Sequence, residues 1–469
     1  MTLSLKTQDL SFRYRDTPIF SHQNFEVPLG EFSVLSGPSG SGKSTLLKLL
    51  AGLYPRYGGT ITSGNVYLEG QVAGICMPFE RAQRVSMLFQ HPARQFSMRT
   101  VAQQIDFACA NLQVPKEEVA ERRQEVLKRL NLEHLAQHIV TTLSGGEQQC
   151  VALACVLAMR SKIILLDEPF ANVDVHGRAY ILKVLKGLQT QEGTTIFLAD
   201  HELEGYQGIA TKLFSLSGET HELTEKPLDM LPEGKSGEEH RVTPHPLRPG
   251  LFSWSDLSYG AGERTLVKDS RFTLPKGQVG LLSGDNGVGK STLFKVLSCQ
   301  HDYTGTLTFE GQDAQNFKPK EWAMKVGLTF QSSEDQFVTL TMEDELSLSA
   351  QHSLQPKYWD KKRIASAVEE LGLTGLERHV VYRLSGGQQK KLQLLSMLIM
   401  GQPTLLADEP FAGLDAASVR VVLNLLCQTV EALEPAVLVA SHQRAQVAEA
   451  CDYELRLEDQ HLNLLGEEQ

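Results

Sequence analysis

The sequence predicts an α/β fold made twice over, two consecutive units that each set a largely parallel sheet beneath helices. Three observations carry this. A glycine-rich run, GPSGSGKST at Gly37–Thr45, returns as GDNGVGKST at Gly284–Thr292. Each copy follows a short apolar strand-like stretch (EFSVLS, QVGLLS) and precedes a helix-like one (TLLKLLAGL, TLFKVLS). Short β-rich runs (KIILLDE, TTIFLAD; TLLADE, AVLVASH) alternate with helical stretches in both halves, the pattern of a parallel sheet. Finally, unlike motifs recur at one spacing. Gln90 to Ser144 and Gln331 to Ser385 each span 54 residues, Ser144 to Glu168 and Ser385 to Glu409 each 24, and Glu168 to His201 and Glu409 to His442 each 33. Only the stretch before the glutamine differs, 47 residues from Lys43 to Gln90 against 41 from Lys290 to Gln331, which places a loop insertion in the first half. The chain is a tandem duplication.

Length agrees, since 469 residues exceed one ordinary core. The first unit is expected over 1–224 and the second over 251–469, joined by a linker over 225–250 that is rich in Pro, Gly and charge. Within each unit, about 91–159 and 332–400 carry helical apolar spacing with abundant charge, as in KEEVAERRQEVLKRLNLEHL, and read as an inserted helical subdomain. Apolar residues at 41% and charged ones at 22% suit a soluble globular chain. The net charge of −11 argues against a general nucleic-acid coat. Seven cysteines without a C-x-x-C pair imply free thiols in a reducing compartment. The start, MTLSLKTQDLSF, lacks the blocks of a signal peptide, and no stretch approaches the about 18–20 apolar residues a bilayer span requires, the longest candidate, Val151–Met159, being half that length. A membrane role is therefore expected to come through a partner.

The motifs specify the chemistry. In G-x-x-x-x-G-K-[ST] the glycines let successive backbone N–H groups turn toward one centre, and the following helix adds its positive end to the same anion site. Gly37, Gly40, Gly42, Lys43, Ser44 and Thr45 in the first copy, and Gly284, Gly287, Gly289, Lys290, Ser291 and Thr292 in the second, are the expected nucleotide-phosphate cradles. Lys43 and Lys290 are expected at the β- and γ-phosphates, with the Ser44 and Ser291 hydroxyls on Mg²⁺. Asp167 and Asp408 close apolar strands and are placed to hold the metal directly or through water. The next residues, Glu168 and Glu409, are candidate bases for an attacking water, because a carboxylate on a rigid strand end can be held within reach of it. Gln90 and Gln331 are candidate metal ligands and γ-phosphate sensors. His201 and His442 are candidates to touch the γ-phosphate or the water. The runs LSGGEQQ from Leu143 and LSGGQQK from Leu384 begin helices. Ser144, Gly145 and Gly146, like Ser385, Gly386 and Gly387, would form anion receptors, although a plain N-cap also accounts for the serine.

Phosphate loop, glutamine, LSGG signature, Asp-Glu strand end, aspartate loop and histidine, in this order and twice over nearly the whole chain, resemble the ATP-binding-cassette ATPases. The resemblance implies two such nucleotide-binding domains, each a P-loop α/β core with an antiparallel β subdomain and an inserted helical subdomain, using ATP and Mg²⁺. In that family two cassettes pair head to tail, with ATP between the phosphate loop of one and the signature of the other. Lys43, Gln90, Glu168 and His201 would then work with Ser385 and Gly387, and Lys290, Gln331, Glu409 and His442 with Ser144 and Gly146. Asp174 and Asp415 would communicate across the pair. An aromatic would stack on adenine: Tyr259 in the second half, and Tyr14 or Phe12 in the first.

FQHPARQFSMRTVAQQIDF and, less closely, FQSSEDQFVTLTMEDELSL resemble the corresponding segment of energy-coupling-factor ATPases, with a second glutamine at Gln95 and Gln336. That resemblance implies the motor of an importer of vitamins, vitamin precursors or transition-metal ions. It would sit peripherally on the cytoplasmic face of the membrane through scaffold and substrate-binding membrane subunits. Phe96, Met98, Phe337 and Val338 would offer a groove to a scaffold helix. The alternatives are a soluble tandem-cassette translation factor on the ribosome, whose family usually carries DEPTNHLD where this chain has DEPFANVD and DEPFAGLD, or the motor of another importer or exporter.

Overall fold

A computed structural model describes residues 3–38, 40–90, 92–170, 173, 175–232, 242–262, 264–285, 287–441 and 443–466. The chain divides into two compact units, 1–236 and 237–469. In the first, the strands Phe32–Ser36, Thr195–Ala199, Ile163–Asp167 and Val85–Leu88 lie side by side in parallel register, extended on the other edge by Lys212–Leu216 and the antiparallel Leu223–Lys226. A separate antiparallel sheet joins Thr17–Pro28, Leu3–Tyr14, Thr60–Leu68 and Gln71–Val72. The second unit repeats both sheets, with Val326–Thr329, Thr404–Asp408, Ala436–Ala440, Val279–Ser283, Tyr453–Glu458 and His461–Leu464 in the larger. The antiparallel sheet was legible only through the family resemblance, because its strands are half exposed and irregular in register.

The parallel strands are apolar throughout because both faces are covered. Successive side chains point to opposite faces. Ile164, Leu166, Ile196 and Leu198 enter the core beneath the helical subdomain, whereas Ile163, Leu165, Phe197 and Ala199 enter the one shared with the antiparallel sheet and the helix Lys43–Leu50. Leu405, Val437 and Val439 oppose Leu406, Leu438 and Ala440 in the same way. Each buried aliphatic side chain contributes about 1.5–3 kcal/mol, so the strand ends that carry the acidic residues are anchored on both faces.

The helical subdomains stand where expected: Val101–Asn111, Lys116–Arg129 and Gly145–Ala158 in the first unit, and Met342–Gln351, Lys361–Glu370 and Gly386–Met400 in the second. The expected linker is shorter than 225–250 among the described residues. Glu225 and Lys226 pair with the strand Lys212–Leu216, and Leu231 is buried in the first core. On the other side Val242 is buried in the second unit's core, and His245 N–H donates to the Asp452 carbonyl at 2.7 Å. Its centre, 233–241, lies outside the described residues. Among the described residues one helix, Ala416–Leu433, is by length and composition apolar enough to cross a bilayer, against the expectation that no stretch approaches that length. Its Val419, Val422, Leu425 and Leu426 are buried in the core of the second unit, where an apolar helix face belongs.

Candidate functional site

The glycine-rich run leaves the central strand Phe32–Ser36 and turns into the helix Lys43–Leu50. Gly37, Gly40 and Gly42 all have positive φ, at 154°, 81° and 101°. A Cβ on Gly37 would lie 2.6 Å from the Leu216 carbonyl oxygen, and one on Gly284 2.4 Å from that of Leu457, so neither position has room for a side chain. Gly287 and Gly289 repeat the left-handed backbone at 75° and 115°. Gly42 and Gly289 cap their helices without a side chain, which leaves the first-turn N–H groups to the cradle. Lys43 Nζ folds back to donate to the carbonyls of Gly37 at 2.7 Å and Pro38 at 3.0 Å, and Lys290 does the same to Gly284 at 2.6 Å and Asp285 at 2.9 Å. An ammonium held inside a glycine loop at a helix N-terminus fits a polyphosphate.

Ser44 Oγ donates to Asp167 Oδ1 at 3.0 Å, and Ser291 likewise hydrogen-bonds Asp408. Burial, then the neighbouring Glu168, push Asp167 up to about 6, and burial raises Asp408 too. No cluster of three or more His, Cys, Asp or Glu side chains among the described residues could hold a metal by itself. One carboxylate with one hydroxyl is the donor set of a Mg²⁺ that draws its remaining ligands from substrate phosphates and water. The residues present fit that ion.

Glu168 and Glu409 follow at the strand ends, both buried and both in the left-handed region, with φ of 50° and 48°. Their N–H groups donate to the carbonyls of Ala199 and Ala440 at 2.9 Å, which pins this uncommon backbone to the adjacent strand. Glu168 Oε2 accepts from Gln90 Nε2 at 2.8 Å, and Oε1 pairs with His201 Nε2. Burial by itself would raise Glu168. The bond to His201 and the charges of His201 and Lys43 outweigh it, and the carboxyl sits below its ordinary value. Burial pulls His201 down, Glu168 pulls it up, and the net shift is upward, so the two partners agree on an ion pair. Gln331 is exposed, and His442 and Asp174 lie outside the described residues. Asp415 Oδ1 caps the helix Ala416–Leu433, accepting from Ser418 N–H at 2.8 Å.

The signature serines are N-caps. Ser144 and Glu147 form a reciprocal capping box at the helix Gly145–Ala158, as Ser385 and Gln388 do at Gly386–Met400. The plain structural role is therefore present within each unit, and both serines remain exposed. Of the aromatic candidates, Phe12 is buried and stacks on Tyr54 at 5.6 Å. Tyr14 stands beside the cradle, its hydroxyl 3.1 Å from Thr45 Oγ1. Thr292 is half-buried in the first turn of the helix Lys290–Leu297. The expectation for Tyr259 is corrected: its ring is 5% exposed in the core and its hydroxyl donates to the Gly289 carbonyl at 3.1 Å. It cannot lie against a base without leaving that core. The strand position that matches Tyr14, which pairs with Thr17, is Ala261, which pairs with Arg264.

Sequence reasoning missed two groups. Gln149 Nε2 donates to the Glu168 carbonyl at 3.3 Å, and its counterpart Lys390 reaches the Gln331 carbonyl at 2.7 Å; the difference was visible in LSGGEQQ against LSGGQQK. Arg178 braces the segment that bears His201, donating to Asp200 Oδ2 at 3.1 Å and to the carbonyls of Glu202 at 2.6 Å and Glu204 at 3.1 Å. Tyr206 donates to the same Asp200 oxygen at 2.7 Å. No motif marks Arg178, whose partners lie more than twenty residues on.

These cradles, acidic strand ends and signature helices define a P-loop ATPase. The chain matches the family described as ABC transporter over residues 20–171 and 267–412, and it belongs to that family, with two ABC nucleotide-binding domains. It is 32% identical over 503 residues to a Bacillus subtilis (strain 168) protein named "Putative HMP/thiamine import ATP-binding protein YkoD", covering 98% of this chain and 91% of that one. A Methanosarcina acetivorans protein named "Putative ABC transporter ATP-binding protein" is 27% identical, over 94% of this chain and 81% of that one. Among solved structures, a chain in "Model of ribosome-bound archaeal Pelota and ABCE1" superposes with a TM-score of 0.70 at 20% identity, over 97% of this chain and 78% of that one, a likeness of fold. Family membership brings ATP binding and hydrolysis with it.

Proposed function

We propose that the chain is the ATP-hydrolysing motor of an energy-coupling-factor type importer whose cargo is a vitamin or vitamin precursor of the thiamine kind. A transition-metal ion is the other cargo of that transporter class. The observation that carries the reading is likeness at 32% identity, across 98% of the chain, to a protein named for HMP/thiamine import. The protein would sit on the cytoplasmic face of the membrane, held by scaffold and substrate-binding subunits.

In this reading Glu168 and Glu409 take the proton of the attacking water, and Gln90, Gln331, His201 and His442 hold the water and the γ-phosphate. Ser44, Gln90 and Asp167, and in the second unit Ser291, Gln331 and Asp408, would hold Mg²⁺, which when bound neutralises charge on the phosphates. The ion pair and hydrogen bond on Glu168 support it as the base: they keep the carboxyl ionised in a buried place. Each site would be completed by the signature of the other unit, Ser385, Gly386 and Gly387 for the first cradle and Ser144, Gly145 and Gly146 for the second, with Asp174 and Asp415 relaying between them. Tyr14 would take the base in the first.

The grip on the membrane subunits is assigned to the segments after the glutamines. A cavity of about 610 Å³ beside Gln90, lined by Phe96, Phe107 and Val156 among others, supports a helix-sized groove in the first unit. In the second unit the expected Phe337 packs in the core, its ring edge-on to the exposed Tyr382, and the exposed apolar side chains of the segment after Gln331 are Val338 and Leu340. Purification of the chain from its native membrane, followed by uptake assays with labelled thiamine precursors, tests the reading. Co-sedimentation with ribosomes and absence from membranes would favour a translation factor instead.

A further inference from the structure

Lys390 lies in the second turn of the signature helix Gly386–Met400 with 6% of its surface exposed. Its ammonium donates to the carbonyl of Gln331 at 2.7 Å, to that of Phe330 at 3.4 Å and to Gln393 Oε1 at 3.2 Å. Gln393 continues the lattice, donating to the Phe330 carbonyl and to Gln336 Oε1, each at 2.9 Å, and accepting from Ser333 Oγ at 3.0 Å. A buried ammonium is costly unless carbonyls and counter-charges surround it. Here the counter-charges are Glu409 and Asp408 at the neighbouring strand end.

The first unit is built otherwise. Counted from the signature serine and the glutamine, Lys390, Gln393 and Ser333 correspond to Gln149, Ala152 and Pro92. Gln149 turns to the Glu168 carbonyl, Ala152 offers no polar group, and the cavity of about 610 Å³ lies against Ala152 and Gln90. Gln90 is held instead through its own side chain by Glu168. The second unit thus holds the backbone of its glutamine segment by a buried cation, a grip that Gln149 does not make in the first.

We propose that Lys390 is a positioning residue: it ties Gln331 to the signature helix, sets its place relative to Glu409, and makes the second site turn over differently from the first. This rests on the reading of Gln331 as a γ-phosphate sensor. The test is steady-state ATPase of the full chain carrying Lys390→Met, Lys390→Gln or Lys390→Arg, with thermal melting and fluorescent-nucleotide binding, beside Gln331→Glu. The expected result is a fall in kcat of about tenfold for Met and Gln, from a misplaced sensor. KM for ATP and the melting temperature should barely change, and Arg should recover most of the rate. An unchanged kcat in Lys390→Met, or a kcat that falls together with the melting temperature and is not recovered by Arg, overturns the proposal while Gln331→Glu remains impaired. Full activity in Gln331→Glu overturns the sensor reading itself, and this proposal with it.

Discussion

Gln90 Nε2 donates to Glu168 Oε2 over 2.8 Å, joining the end of one parallel strand to the loop after its neighbour. The two lie 78 residues apart in sequence, and His201 closes on the other carboxylate oxygen from a third strand. Three strand ends converge on one carboxylate, so its position is set by the sheet and not by its own loop. Glu168→Gln with Glu409→Gln is therefore expected to fold, to bind ATP and to lose turnover by about 10²–10⁴-fold, the usual cost of a missing general base. Phosphate release and nucleotide binding measured on the same sample check it, and near-normal turnover would remove both glutamates from the role.

If each cradle works with the signature of the other unit, Lys43→Ala and Ser385→Arg injure one site, whereas Lys43→Ala and Ser144→Arg injure two. Changes within one functional unit are far from additive. The first pair should cost little more than either single change, and the second pair should abolish ATPase activity. A redundant same-unit pair would refute head-to-tail completion.

Gly37→Ala and Gly284→Ala place a Cβ 2.6 Å and 2.4 Å from a backbone carbonyl oxygen in a left-handed conformation. Strain of this kind costs about 1–3 kcal/mol, and the loop must shift to relieve it. Each variant should melt lower and bind ATP more weakly than Gly40→Ala, which shares the positive φ, at 81°, but whose Cβ would meet nothing within 4 Å. Equal ATP affinity in Gly37→Ala and Gly40→Ala, by calorimetry, would count against a cradle fixed by close packing.

Val338 is 79% and Leu340 68% exposed, while the adjacent Phe337 is 7% exposed in the core. Phe337→Ala should lower stability by about 3–5 kcal/mol and is unsuited to probing a surface. Val338→Asp with Leu340→Asp should leave melting and soluble ATPase activity intact and abolish co-purification with membrane subunits. Retained co-purification would move the grip elsewhere.

The sequence by itself determined the duplication, the parallel core, both cradles, the acidic strand ends and the signature helices. Each of these is local chemistry: a glycine run that needs positive φ, an apolar strand closed by Asp-Glu, a Ser-Gly-Gly helix start. It also yielded which motif of one unit answers to which in the other, because equal spacing of unlike motifs survives duplication. Tertiary structure alone decided which side chain of a strand faces the cradle. Phe12 and Tyr259 occupy one inward position and Tyr14 and Ala261 the next on the same face, two residues further along the strand, and composition does not record which of the two stands beside the cradle. It alone separated Phe337, in the core, from Val338 beside it, and showed the ends of the expected linker bound into the two units. It alone brought Lys390 to the carbonyl of Gln331 and Arg178 to Asp200. Such contacts join residues distant in sequence through the packing of helix on sheet, and a buried charge is held there by partners that no local pattern names.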